Sequence, residues 1–279
     1  MLKLEKENSH QRDKHIRFEE EGHRYFIDED DNYLSGTSLI HKLFPVFNAD
    51  EVIDRIKKLN RNDKYKDMTK EEIKAQWKKN GEEASKRGTQ THLNIELYSN
   101  NVKVDDNSEE FEQFLKFRED YPYLEPFRTE WTIYDRKLRI AGSIDMVYKD
   151  TRDNTFHIYD WKRSKGFKTE VDSYTEMGYK PLNDIPNLNT YLYFLQLNLY
   201  KYILERNYGI NIKSIYLCRL YPEAESYELV KGDDFIPQIE KVLKIRRKQI
   251  KEGIFDFQID KTKYTYNDVD PCSQGVCLI

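Results

Sequence analysis

Apolar residues are scarce in this 279-residue chain: 38% are hydrophobic and 34% are charged. Such a balance favours disorder unless aromatic residues supply a core, and here 21 Tyr, 14 Phe and 3 Trp do so. The reading is a folded protein with a highly charged surface. No apolar run approaches the roughly 18 residues of a membrane span. The opening MLKLEKENSHQRDKHIRF lacks the apolar stretch of a secretory leader. The three cysteines, Cys218, Cys272 and Cys277, are few and odd in number, which excludes a disulfide framework. The expected location is the cytoplasm or another reducing intracellular compartment. SQGVCLI at the end is not a prenylation box, because only two residues follow Cys277. A global excess of positive charge is also missing, the net charge being −4. That removes a general polyanion-binding signal but leaves room for a basic groove.

What is present is a succession of patterned segments without internal repeat or linker. Residues 1–15 are polar and expected to be loosely attached. From His15 to Leu34, short apolar pairs around Gly22 and an acidic DEDDN run predict a hairpin. Short helices follow, before Pro45 and over about 51–59. Thr69 is a good N-cap for a helix over about 70–86, which Gly88 would break or kink and which resumes over 91–98. Trp77, Gly81, Ala84, Gly88, His92 and Glu96 recur at helical spacing, so they share a stripe, and the small ones would admit a close neighbour. A helix over 109–121 precedes three strands, about 128–134, 138–149 and 155–162. The segment 166–189, with Pro181 and Pro186, is long enough to be functional or mobile. Leu188–Glu205 is apolar nearly all round and should pack on a sheet. Strands over 212–220 and 226–230 follow. A helix over 235–252 then carries a basic face of Lys241, Lys244, Arg246, Arg247, Lys248 and Lys251, read as solvated surface.

The chain is organised around Arg139–Lys168, RIAGSIDMVYKDTRDNTFHIYDWKRSKGFK. Asp145 lies in its first strand and Asp160 in its second. Residues i and i+2 of a strand share a face, so Asp160 and Lys162 do. Burying an Asp in an otherwise apolar strand is costly without a partner. A structural Asp–Lys pair would meet that need. So would a divalent cation: two carboxylates are hard oxygen ligands suited to Mg²⁺ or Mn²⁺, and the Trp161 carbonyl between Asp160 and Lys162 could join them. Phosphodiester hydrolysis requires a cation on the phosphoryl oxygen, an activated water and positive charge near the developing negative charge. Lys162 could orient or deprotonate that water.

G-S-I-D, fourteen residues and then D-W-K resembles the PD-(D/E)XK nuclease superfamily, with Ile144-Asp145 at the family's Pro-Asp. Two more motifs sharpen the resemblance toward its RecB-like branch: G-x₃-H-x₃-E at Gly88, His92 and Glu96, and Q-x₃-Y at Gln196 and Tyr200. Their order and spacing agree over about residues 77–220. The set is similar to the mitochondrial genome maintenance exonucleases and to viral and phage relatives.

The resemblance implies an α/β fold with a restriction-endonuclease-like core, a central mixed β-sheet flanked by helices, and an N-terminal helical part. It implies one nuclease domain over 1–265, with a core of about 77–252 and an extension of 1–76, then a tail of 266–279. It implies metal ligation by His92, Asp145, Asp160 and the Trp161 carbonyl, and catalysis by Asp145, Asp160 and Lys162. Gln196 and Tyr200 would position Lys162 or the nucleic-acid backbone. Glu96 would back His92 or simply contact it along the helix, and Glu130 would face the site from the preceding strand. Arg163, Lys165 and Lys168 would contact phosphates, or form a solvated loop. An iron–sulfur cluster, known in some relatives, is not expected from three cysteines with none before the core. The implied function is a Mg²⁺- or Mn²⁺-dependent DNA nuclease, an exonuclease on single-stranded or end-containing DNA in replication, repair or recombination. A flap endonuclease and an inactive nucleic-acid-binding module are the alternatives.

Overall fold

The computed structural model describes residues 2–58 and 63–269. Helix α1 (Lys3–Glu7) leads to a hairpin of β1 (Ile16–Glu19) and β2 (Arg24–Ile27), paired from Ile16↔Ile27 to Glu19↔Arg24. This N-terminal stretch is not loose. The Asp13 carboxylate accepts from the buried Arg128 guanidinium at 2.7 Å and from the Trp131 indole at 3.0 Å. A buried arginine without that partner would carry an uncompensated charge, so the segment is fixed by electrostatics rather than by apolar patterning.

Strand β3 (Leu34–Ser35) runs into α2 (Gly36–Lys42), whose first turn is capped by the Ser35 hydroxyl accepting from Ser38 N–H. Helix α3 (Ala49–Lys58) follows. Helix α4 spans Lys70–Ser99 and begins with a full capping box between Thr69 and Glu72. It continues through Gly88, against expectation. A helical glycine costs only about 0.5–1 kcal/mol relative to alanine, too little to break a capped 30-residue helix. Nor does a neighbour approach there: a Cβ at Gly81 or Gly88 would meet nothing within 4 Å. Helix α5 (Glu109–Asp120) is capped by Ser108.

Three long strands form the predicted meander, β4 (Leu124–Asp135), β5 (Ile140–Asp150) and β6 (Thr155–Lys162). Helix α6 (Asn189–Ile203) crosses from β6 to β7 (Ile212–Arg219), which pairs parallel with β6. Strand β8 (Glu228–Lys231) is the antiparallel edge, and α7 (Ile236–Lys251) and α8 (Tyr266–Val269) complete the described chain. The result is an α/β fold with a six-stranded mixed sheet ordered β3–β5–β6–β7–β8, with β4 also on β5.

Helices cover both faces of the sheet. On one, Ile95 of α4 and Phe111, Phe114 and Phe117 of α5 pack on Met146, Tyr148, Tyr159 and Trp161. On the other, α2, α6 and α7 pack on Ile140, Val147, Ile158 and Leu217. The alternation along β6 sends Tyr159 and Trp161 to the first face and Ile158, Asp160 and Lys162 to the second. Segment 166–189 is tied down: Met177, Tyr179, Leu182 and Ile185 are buried, and Met177 N–H donates to Tyr264 O at 2.9 Å. The basic face of α7 is incomplete. Arg246 is fully buried and donates to the carbonyls of Leu138, in the turn before β5, and of Phe255, after α7. Of the predicted tail, only 266–269 is described; Cys272 and Cys277 lie outside the described residues.

Gly142 contrasts with Gly88. A Cβ at Gly142 would stand 2.5 Å from the Tyr200 ring of α6, and one at Gly36 would stand equally close from the other side. Gly88→Ala is therefore expected to raise unfolding stability by about 0.5–1 kcal/mol. Gly142→Ala is expected to lower it by about 1–3 kcal/mol through overpacking. Urea unfolding of the two variants checks the opposite signs.

Candidate metal centre

The ladder between β5 and β6 runs from Asp150↔Thr155 to Met146↔Tyr159 and stops. One step further, Asp145 Oδ2 accepts the Trp161 N–H at 3.0 Å, in place of a backbone carbonyl. The strands part there, and the Asp145 carboxylate is held in the fork. On the other side of β5, Thr129↔Met146 and Trp131↔Ile144 flank Glu130, which therefore stands opposite Asp145. Its φ is +41°, a left-handed conformation inside a strand.

His92 of α4 reaches the same point. Its Nε2 lies 3.0 Å from Trp161 O, and its Nδ1 lies 3.6 Å from both Glu130 Oε1 and Asp145 Oδ2. Among the described residues, His92, Glu130 and Asp145 each offer a ligand atom, all within 4.8 Å of one another. The arrangement suits a hard divalent cation. A ligating histidine usually donates its other ring N–H to a carbonyl or carboxylate, and Nε2 has Trp161 O for that purpose, leaving Nδ1 toward the carboxylates. Nitrogen and carboxylate donors fit Mn²⁺ or Mg²⁺ better than a soft ion.

Asp160 and Lys162 adjoin this group on the α6 side. Asp160 is 4% exposed, and its Oδ2 lies 2.5 Å from Lys162 Nζ. The ammonium is that oxygen's partner, by charge and as a donor. Burial pushes the Asp160 carboxyl up; Lys162 pulls it down and Asp145 adds to the rise. Burial acts to lower the Lys162 ammonium, but Asp160 and Asp145 outweigh it and hold the proton on.

Helix α6 braces the lysine. Tyr193 puts its ring 4.8 Å from Lys162 Nζ. Gln196 donates to the Tyr200 hydroxyl at 3.3 Å, and Tyr200 is wedged between Gly36 and Gly142 with Thr37 hydrogen-bonded to it. Gly142 of the G-S-I-D motif is thus the space that the Q-x₃-Y tyrosine occupies. Tyr193 was not anticipated from sequence. Its signal was its position three residues before Gln196, on the same helical face.

Several expected side chains go elsewhere. Arg163 is locked to the buried Glu110 at 2.6 Å, so it does not reach an open surface. Tyr200 is 2% exposed, so it is out of reach of a nucleic-acid backbone. Lys165 and Lys168 are exposed. Glu96 does not share the His92 ring nitrogens. Its carboxyl is pushed up to about 7 by burial and then by the charges of Glu130 and Glu5.

The family model described as "PD-(D/E)XK nuclease superfamily" matches residues 35–277. No curated protein matches the sequence. Among solved structures, that of the protein SSO0001 is 12% identical with a TM-score of 0.32, over 88% of this chain and 80% of that one. A protein named "Putative exonuclease" from Eubacterium rectale is 12% identical with a TM-score of 0.37, over 69% of this chain and 75% of that one.

The charge around His92 has a measurable consequence. Burial disfavours its imidazolium, but Asp145 and Glu130 outweigh burial and raise its pKa to about 9. The folded value exceeds the unfolded value of about 6.5. Stability from this group is therefore complete below about pH 6.5 and lost as pH rises toward 9. The loss is at most about 3 kcal/mol, and less because 29% of the side chain faces solvent. NMR titration of the His92 ring without metal should give a midpoint near 9, which Asp145→Asn should lower.

Proposed function

The chain belongs to the PD-(D/E)XK nuclease superfamily, and on that premise we propose that it is a divalent-metal-dependent DNA nuclease, an exonuclease acting on single-stranded or end-containing DNA. The observation that carries this reading is the meeting of three distant segments. His92 of α4, Asp145 of β5 and the Asp160–Lys162 pair of β6 lie together at the fork between two strands. The sequence motifs resemble those of the RecB-like branch, with the mitochondrial genome maintenance exonucleases and their viral relatives, and a role in replication, repair or recombination is the reading that this resemblance supports. On this reading residues 1–265 form one nuclease domain.

His92, Asp145, Asp160 and the Trp161 carbonyl would hold Mg²⁺ or Mn²⁺. A bound divalent cation supplies polarisation of a phosphate oxygen and a water of lowered pKa. Lys162 supplies fixed positive charge where negative charge builds on the phosphoryl group. Because Asp160 and Asp145 hold its proton on, it acts as a cation that orients the water rather than as the base. Tyr193 and Asp160 restrict its ammonium, and the Gln196–Tyr200 pair stiffens the helix behind it. Exposed Lys165 and Lys168 follow the site directly and are suited to flanking phosphates.

The test uses single-stranded DNA labelled at either end, with Mg²⁺ or Mn²⁺, beside a closed circular plasmid. The parent should degrade the labelled strands and leave the circle intact. Asp160→Ala and Lys162→Ala should each lose ~100-fold or more of the rate. Variants as fast as the parent would refute the site, and a nicked circle would make the enzyme an endonuclease. A parent that cleaves nothing with either metal would leave only nucleic-acid binding.

A further inference from the structure

We infer that Glu130 is a direct ligand of the catalytic cation, sharing it with His92 and Asp145. This rests on the nuclease reading and adds an oxygen from β4 that none of the sequence motifs contains.

Charge makes the first argument. Glu130 and Asp145 stand opposite each other on neighbouring antiparallel strands. Like charges so placed repel, and the arrangement destabilises a sheet unless something lies between them. Glu96 and Asp160 bring two further carboxyls into the same field. The basic groups nearby are Lys162, which Asp160 engages at 2.5 Å, and His92, whose Nδ1 lies 3.6 Å from both Glu130 and Asp145 and can exchange its proton for a metal ion. A divalent ion at the mutual focus of His92, Glu130 and Asp145 balances what remains.

The second argument is the disposition of the Glu130 oxygens. Oε1 faces His92 Nδ1 at 3.6 Å, whereas Oε2 accepts the Ser143 hydroxyl at 3.3 Å. One oxygen is restrained by a neighbour and the other is turned to the focus, the usual condition of a ligating carboxylate.

Backbone conformation supports the assignment. The other non-glycine residues with positive φ among those described are His23, Asp28, Glu29, Asn101, Arg139 and Asn154, and all lie in turns. Glu130 alone lies inside a strand. A left-handed glutamate costs on the order of 1–3 kcal/mol and persists only where its surroundings impose it. No turn needs it here; it aims the carboxylate.

The experiment is a Mn²⁺ titration of the full chain without nucleic acid, followed by EPR of the free ion, with thermal melting in chelator alongside. Glu130→Gln keeps the shape and removes the charge. Glu130→Gly removes the side chain and suits a positive φ. Both variants should bind Mn²⁺ at least about tenfold more weakly than the parent. The glycine variant should melt in chelator no lower than the parent, because strain and repulsion leave together. Parental Mn²⁺ affinity in both variants would overturn the assignment and leave the nuclease reading intact. A glycine variant that melts lower and still binds Mn²⁺ would show a structural role instead. A parent that binds no Mn²⁺ or Mg²⁺ would overturn both.

Discussion

Everything at the site depends on where β5 and β6 stop pairing. Through Met146↔Tyr159 the two strands satisfy each other's backbone groups. Two residues later the Trp161 N–H is accepted by the Asp145 side chain instead of by a carbonyl of β5. A buried N–H left unpaired would cost about 1–3 kcal/mol, so this bond both closes the ladder and fixes the carboxylate. The fork it creates lets His92 enter from α4 and lets Lys162 emerge toward α6. With full pairing to the strand ends, the Trp161 carbonyl would be spent within the sheet.

The second fixed relation is between the two flanking layers. Tyr200 fills the space above Gly142 and Gly36, so the helix following β6 touches β5 and the start of α2 at once. The sequence spacing of G-S-I-D and Q-x₃-Y describes a single contact. That contact sets the height of α6 over the sheet, and with it the distance from Tyr193 to Lys162. A residue that is almost wholly buried can therefore govern the lysine at the fork.

Much of this was legible in the sequence, for reasons that are themselves physical. The period of two along FHIYDWK assigned Asp160 and Lys162 to one face. The meander, α6 and their order followed from apolar runs bounded by turn residues. Other features leave no local trace. Glu130 reads as an ordinary strand residue because its left-handed backbone is imposed by contacts across the sheet. Arg163 looks like a free cation until Glu110, 53 residues away in sequence, takes it. Arg246 looks like part of a basic stripe until the carbonyls of Leu138 and Phe255 enclose it. The continuity of α4 at Gly88 is not visible locally, because the cap at Thr69 and the buried C-terminal half carry the helix across the glycine.

The shifted protonation equilibria complete the electrostatic picture. Glu130 and Asp145 sit together with the His92 ring, rather than a lysine or arginine, between them, and protons take up the difference. They are retained on His92 and, more weakly, on Glu96, the two ionisable residues of α4 that border Glu130. Both respond to the same carboxylate, one as a base made stronger and the other as an acid made weaker. Proton and divalent cation are thus alternative answers to one excess of negative charge. A site built only for folding would have placed a lysine or arginine there, as the chain does for Asp13 and Glu110. Between Glu130 and Asp145 the chain instead places a histidine, which can give up its proton to a divalent cation, and that exchange is the electrostatic reason to regard the fork as a place for an ion that comes and goes.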